Sequence, residues 1–150
     1  MMPKLLVAED DADTRTLYKQ LLCTGDPERE CVFAEDGRAA IIAYNAARAS
    51  GLPFSLLVLD VMMPHANGFQ VAEHVRFTCG DTETAIVIVT GDPDTWTNMR
   101  SAHIHAGEVW SKPLDALVFK RGIAALLECG PTWTRAKCPP LEPQPQEAHK

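Results

Sequence analysis

The stretch Phe54-Ser55-Leu56-Leu57-Val58-Leu59-Asp60 constrains the fold of this chain more than any other. A short, mostly apolar run bounded by turn signals reads as a strand buried on both faces. Such strands belong to parallel sheets covered by helices on either side. The run ends in a carboxylate, Asp60, and Val61-Met62-Met63-Pro64 and Asn67-Gly68 follow. Open α/β sheets place their chemistry at the carboxyl ends of their strands, so Asp60 stands where a functional group is expected. A second run, Lys4-Leu5-Leu6-Val7-Ala8, leads into Glu9-Asp10-Asp11. Two strand ends bearing acids predict one carboxylate pocket able to hold a cation.

Strand and helix patterns alternate along the rest of the chain. A helix capped by Asp13 or Thr14 is expected to run to Thr24, with Leu17, Leu21 and Leu22 on its apolar face. A short strand follows over 31–34, then a helix over 38–49 with Ile41, Ile42 and Ala46 inward. Beyond Asp60 the pattern predicts a helix over 67–78 and a strand over 85–89 that ends in Thr90-Gly91. A helix opening at Asp92 or Asp94 reaches His103 or Ile104, with Trp96, Met99 and His103 in a stripe. Val109-Trp110 forms a last strand before Ser111-Lys112-Pro113. The final helix, over 114–129, carries Leu117, Val118, Ile123, Ala124 and Leu127 as apolar positions. Five strands alternating with five helices predict a doubly wound α/β fold of the flavodoxin-like kind. Its parallel sheet has strand order 2-1-3-4-5 within three α/β/α layers. Residues 1–129 form that domain. Residues 130–150 hold five of the eleven prolines and read as a flexible tail.

A net charge of −6 and a pI near 5.3 argue against nucleic-acid binding, which needs a basic face. No run of 18 apolar residues exists to span a membrane. The N-terminus lacks the pattern of a signal peptide, so a cytoplasmic location is expected. The five cysteines, Cys23, Cys31, Cys79, Cys129 and Cys138, include no Cys-x-x-Cys pair. They are expected to be reduced thiols, neither zinc ligands nor disulfide partners.

Four strand ends carry polar groups: Glu9-Asp10, Asp60, Thr90 and Lys112. In a parallel sheet they share one edge. Converging carboxylates repel and recruit a cation, and Mg²⁺ suits oxygen ligands. A metal, an ammonium and a hydroxyl around one carboxylate are the parts needed to stabilise a phosphoryl group in transfer onto it. On these residues, with Lys112-Pro113 and Asn67-Gly68, the chain resembles the CheY-like receiver domains of two-component response regulators. The resemblance covers about residues 3–129 and includes the Asp60–Thr90–Lys112 spacing.

The resemblance implies that Asp60 accepts phosphoryl from a histidine kinase or a histidine phosphotransfer protein. It implies Mg²⁺ ligation by Asp10, Asp60 and the Met62 backbone carbonyl, with Glu9 acting through a water. Lys112 would pair with Asp60 and then with the phosphoryl group, and the Thr90 hydroxyl would move to meet it. A cis Lys112–Pro113 bond is also implied. The output would be altered binding of a downstream protein, with no output domain in this chain and no turnover of an external substrate. A homodimer through the face of the fourth helix, fifth strand and last helix follows only from the resemblance.

One departure stands out. The family usually has Tyr or Phe three residues before the lysine, and here that residue is Val109. Trp110 cannot replace it, since neighbours on a strand face opposite sides. Val109 lends weight to one alternative, a phosphorylation-independent pseudo-receiver that serves as an interaction module; another is a receiver segment of a larger regulator or hybrid kinase, with the Pro-rich tail as a linker. A phosphatase of the haloacid-dehalogenase type would need a second aspartate where Met62 stands.

Overall fold

The computed structural model describes residues 3–23, 29–91, 100, 103–104, 106 and 108–129. The strands are β1 (Lys4–Ala8), β2 (Glu30–Ala34), β3 (Leu56–Asp60), β4 (Ala85–Thr90) and β5 (Glu108–Ser111). The helices are α1 (Ala12–Leu22), α2 (Gly37–Ala49), α3 (Gly68–Glu73, continued by a π-helical turn His74–Thr78) and α4 (Ala116–Cys129). All strands pair in parallel in the order β2-β1-β3-β4-β5. The expected topology is therefore present. Four of the five expected helices lie among the described residues. The expected helix at 92–104 falls largely outside them, as do Trp96, Met99 and the tail over 130–150.

The pleat sends alternate strand residues to opposite faces. Leu6, Ala8, Leu57, Leu59, Ile86 and Ile88 meet Ala40, Tyr44 and Ala47 of α2 and Phe69, Val71 and Ala72 of α3. Leu5, Val7, Leu56, Val58, Val87 and Val89 meet Tyr18 and Leu22 of α1 and Phe119, Ile123 and Leu126 of α4. These two cores make the three layers. Both faces of β3 and β4 are covered, and every residue of the two strands is buried.

Side-chain caps fix three helix starts. Asp11, rather than Asp13 or Thr14, caps α1: its Oδ2 accepts from the Thr14 N–H at 2.9 Å and the Thr14 hydroxyl at 2.6 Å. Asp36 caps α2, and Asn67 and Gln70 form a reciprocal capping box on α3.

Several expected core positions are shifted. Leu17 is 47% exposed, while Tyr18 and Leu22, one turn apart, face the sheet. Ile42 is 60% exposed, and α2 instead buries Gly37, Ala40, Tyr44 and Ala47. In α4 Leu117 and Ala124 point outward, and Phe119, Ile123 and Leu126 inward. Helices apolar on more than one face leave the phase of their buried stripe ambiguous.

The cysteine expectation is corrected. Cys23, at the C-cap of α1, and Cys31, on β2, form a disulfide across a Cα–Cα separation of 6.2 Å. The pair is eight residues apart in sequence, outside any Cys-x-x-Cys spacing, and the packing of α1 against β2 brings it together. Cys79, half-buried, is a free thiol.

Candidate phosphoacceptor and metal site

The central strands β1 and β3 end side by side, with Ala8 opposite Leu59. Just beyond lie Glu9 and Asp10 on one strand and Asp60 on the other. One oxygen each from Glu9, Asp10 and Asp60 can be chosen so that all lie within 4.8 Å of one another. Glu9 and Asp60 are buried, and Asp10 is exposed at the mouth. Asp11, the next acid, is spent on the α1 cap.

Lys112 reaches this cluster from the end of β5. Its Nζ donates to Glu9 Oε2 at 2.9 Å and to Asp60 Oδ2 at 3.3 Å. The Lys112 N–H donates to the Thr90 carbonyl at 2.8 Å, which ties the ends of β4 and β5 together. The Lys112–Pro113 peptide is cis, as the resemblance implies. Thr90 is buried at the end of β4, one position past Val89, which pairs with Asp60.

The electrostatics favour a cation. Burial, with the charge of Asp60 added, pushes the Glu9 carboxyl up to about 7, although its hydrogen bond to Lys112 works the other way. Burial lowers Lys112, but its hydrogen bond to Glu9 and the charge of Asp60 outweigh that and hold the ammonium above its ordinary value. One lysine thus leaves the acids under-compensated. A hard, oxygen-seeking divalent ion fits that deficit and the donor set.

The loop after Asp60 is pinned at both ends. The Val61 N–H donates to the Val89 carbonyl at 3.1 Å, and the Gly68 N–H to the Val61 carbonyl at 3.2 Å. The Met62 N–H approaches Asp60 Oδ1 at 3.4 Å, while its side chain is 75% exposed. Gly68 lies against the backbone of Asp60: a Cβ there would overlap the Asp60 carbonyl oxygen. Arg15, unmarked by any sequence motif, also serves this region. Its Nη1 donates to the carbonyls of Glu9 at 2.8 Å and Asp10 at 3.0 Å, clamping the acid-bearing loop. An arginine in a first helical turn carries no distinctive pattern, so only its reach in three dimensions reveals the clamp.

Val109 and Trp110 face opposite sides of the sheet. Val109 packs half-buried on the α2/α3 side, and Trp110 is buried on the α1/α4 side. There Trp110 lies edge-to-face with Phe119 at 5.3 Å.

The model of the response regulator receiver domain family matches residues 5–122, and the chain belongs to that family. Receiver domains are signalling domains of two-component systems rather than conventional enzymes, and phosphorylation and Mg²⁺ are general features of the family. Protein PetR of Rhodobacter capsulatus is 30% identical over 125 residues, covering 83% of this chain and 48% of that protein. The response regulator ArlR of Staphylococcus epidermidis is 28% identical over 131 residues, covering 87% and 55%. The chain thus spans about half the length of these curated relatives. The chemotaxis protein CheY4 of Vibrio cholerae shares the fold, with a TM-score of 0.70, 23% identity and coverage of 83% of this chain and 98% of that one. No helix among the described residues is long and apolar enough to cross a membrane.

Proposed function

We propose that residues 1–129 act as a phosphorylation-dependent switch with Asp60 as phosphoacceptor. The observation that carries this reading is the convergence of Glu9, Asp10, Asp60 and Lys112 at one sheet edge, with the lysine bonded to both buried acids. A carboxylate oxygen of Asp60 attacks the phosphorus of a phosphohistidine on a kinase or phosphotransfer protein. The new O–P bond forms as the N–P bond breaks. Lys112 moves its ammonium from Asp60 to the incoming phosphoryl oxygens, and the Thr90 hydroxyl donates to another. Asp10, Asp60, the Met62 carbonyl and, through water, Glu9 would hold Mg²⁺, which would supply the remaining positive charge. Arg15 and Gly68 keep the two loops in register.

The rearranged Lys112 and Thr90 bias a two-state surface that binds a downstream protein, with a coupling of about 1–3 kcal/mol. A protein target, a cytoplasmic setting and a homodimer through the face of the expected helix over 92–104, β5 and α4 belong to this proposal.

The test is intact-mass spectrometry after incubation with acetyl phosphate. A gain of about 80 Da that needs both Mg²⁺ and Asp60 supports the assignment. An adduct that survives Asp60→Ala places the acceptor elsewhere. A second reading, a pseudo-receiver that works without phosphorylation, draws on Val109 at the position of the aromatic switch residue. It gains if neither Mg²⁺ binding nor an adduct is found.

A further inference from the structure

We propose that Tyr18 is a positioning residue for phosphoryl transfer: its buried hydroxyl takes over Glu9 when Lys112 leaves that carboxylate for the phosphoryl group. This role rests on the reading of Asp60 as phosphoacceptor and of Lys112 as the ammonium that moves. Tyr18 is 3% exposed, and among the described residues its hydroxyl has no hydrogen-bond partner. A buried hydroxyl left bare is costly, and folded proteins rarely keep one without a use. The ring is accounted for as core: it stacks on Phe119 at 5.2 Å, and Phe119 meets Trp110 edge-to-face at 5.3 Å. A phenylalanine would fill the same place, so packing leaves the oxygen unexplained.

The sheet brings that oxygen to the carboxylate pocket. Trp110 pairs with Val89, and Val89 with Asp60, so the aromatic stack lies level with the phosphoacceptor. Glu9, Asp60 and Lys112 continue the alternation of Val7, Val58 and Trp110, which face α1 and α4. The Glu9 N–H donates to the Ala34 carbonyl and the Lys112 N–H to the Thr90 carbonyl, so both ladders run on through these residues. Long helical side chains lean toward the start of their helix, and α1 starts at the acid-bearing loop. Burial, with the charges of Glu9 and Asp60 added, pushes the phenol above its ordinary value, and it stays a protonated donor.

Glu9 Oε2 accepts from Lys112 Nζ at 2.9 Å. Once Lys112 turns to the phosphoryl oxygens, this buried oxygen loses its donor, and the cost of leaving it bare opposes the turn. The Tyr18 hydroxyl removes that cost, because it breaks no bond of its own to donate. No covalent bond changes at Tyr18. The competing reading is an idle hydroxyl on a ring that serves only as core.

The experiment compares the wild type, Tyr18→Phe, Lys112→Met and the double variant by the rate of mass gain from acetyl phosphate with Mg²⁺. Tyr18→Phe keeps the ring and removes the oxygen, and it should lower the maximal rate about tenfold. The half-saturating acetyl phosphate concentration and the Mg²⁺ affinity should stay at their wild-type values, and the urea midpoint at or above it, since the hydroxyl makes no bond before transfer. In the Lys112→Met background the same change should leave the rate unaltered, because no ammonium leaves Glu9. The role is overturned if Tyr18→Phe reacts at the wild-type rate, or if its deficit persists in Lys112→Met. A lowered urea midpoint overturns it too, since the hydroxyl would then belong to the resting structure. Absence of an adduct in the wild type overturns the phosphoacceptor reading and this role with it, a result distinct from normal phosphorylation that Tyr18→Phe leaves untouched.

Discussion

Lys112 makes two opposed contributions at the proposed site. Its ammonium bonds both buried acids, so it stabilises the pocket while competing for the oxygens a divalent ion needs. Replacing it separates these effects. Lys112→Met should bind Mg²⁺ more tightly, because one competing cation is gone. It should also slow adduct formation from acetyl phosphate about a hundredfold, the usual cost of losing one charge-stabilising donor. Mg²⁺ titration and the initial rate of mass gain measure the two quantities, and if both fall together the competition argument fails. Gly68 acts through shape alone. A methyl group there would meet the Asp60 carbonyl, which β3 cannot withdraw. Gly68→Ala should therefore cost about 1–3 kcal/mol in urea denaturation and also slow adduct formation. Normal stability would show that the β3–α3 junction yields more readily than its packing suggests.

The elements on the far side of the sheet are joined by polar contacts that the hydrophobic pattern did not reveal. Asp81 lies in the connection from α3 to β4. Its Oδ1 accepts the N–H groups of Glu83 and Thr84 at 3.0 Å, and its Oδ2 accepts the hydroxyls of Thr84 and Tyr44 at 2.6 Å. Burial works to raise this carboxyl, but the hydrogen bonds from Thr84, Tyr44 and Glu83 outweigh it and hold it below the ordinary 3.8. Folding then favours the ionised form. The stability it contributes is complete above the unfolded value and is lost as pH falls through the folded one. Asp81→Asn should cost about 2–3 kcal/mol near neutrality. The gap from wild type should narrow below 3.8, and urea melts at pH 6.5 and 3 test this. An equal gap at both values would remove the carboxylate from the explanation. Tyr44, pushed up to about 12 by burial and by Asp81, was unmarked in sequence because Ile41 and Ile42 dominated the apolar reading of α2. The Gly37-Ala40-Tyr44-Ala47 stripe relies on small residues that let the helix approach the sheet, a signal that hydrophobicity ranks poorly.

Across the whole molecule, the two edges of the sheet divide the proposed site from structural restraint. The carboxyl edge was legible in sequence because its parts are single polar residues at the ends of apolar runs: Glu9, Asp10, Asp60, Thr90 and Lys112. Strand order followed from alternation and handedness. The opposite edge was not legible, since its contacts join residues that share no periodicity. Arg76, buried within the π-helical turn, donates to the carbonyls of Ile104 and Asp81 at 2.8 Å, and Cys23 bonds Cys31 across the base of α1. That disulfide spans a sequence separation of eight residues and ties α1 to β2 near where Lys4 pairs with Glu30, at the end of the sheet away from Asp60. By loop-closure entropy such a link contributes about 2–3 kcal/mol. It touches neither Arg15 nor the α1 cap, which control the acid-bearing loop. Reduction, or Cys23→Ser, should therefore lower the denaturation midpoint while leaving Mg²⁺ affinity and the rate of adduct formation at Asp60 unchanged. Thiol counting of the oxidised, unfolded chain should find no more than three free thiols, the five cysteines of the sequence less the bonded pair. A site that weakens on reduction would mean that α1 transmits strain from one edge of the sheet to the other, and the two edges would have to be treated as one coupled unit.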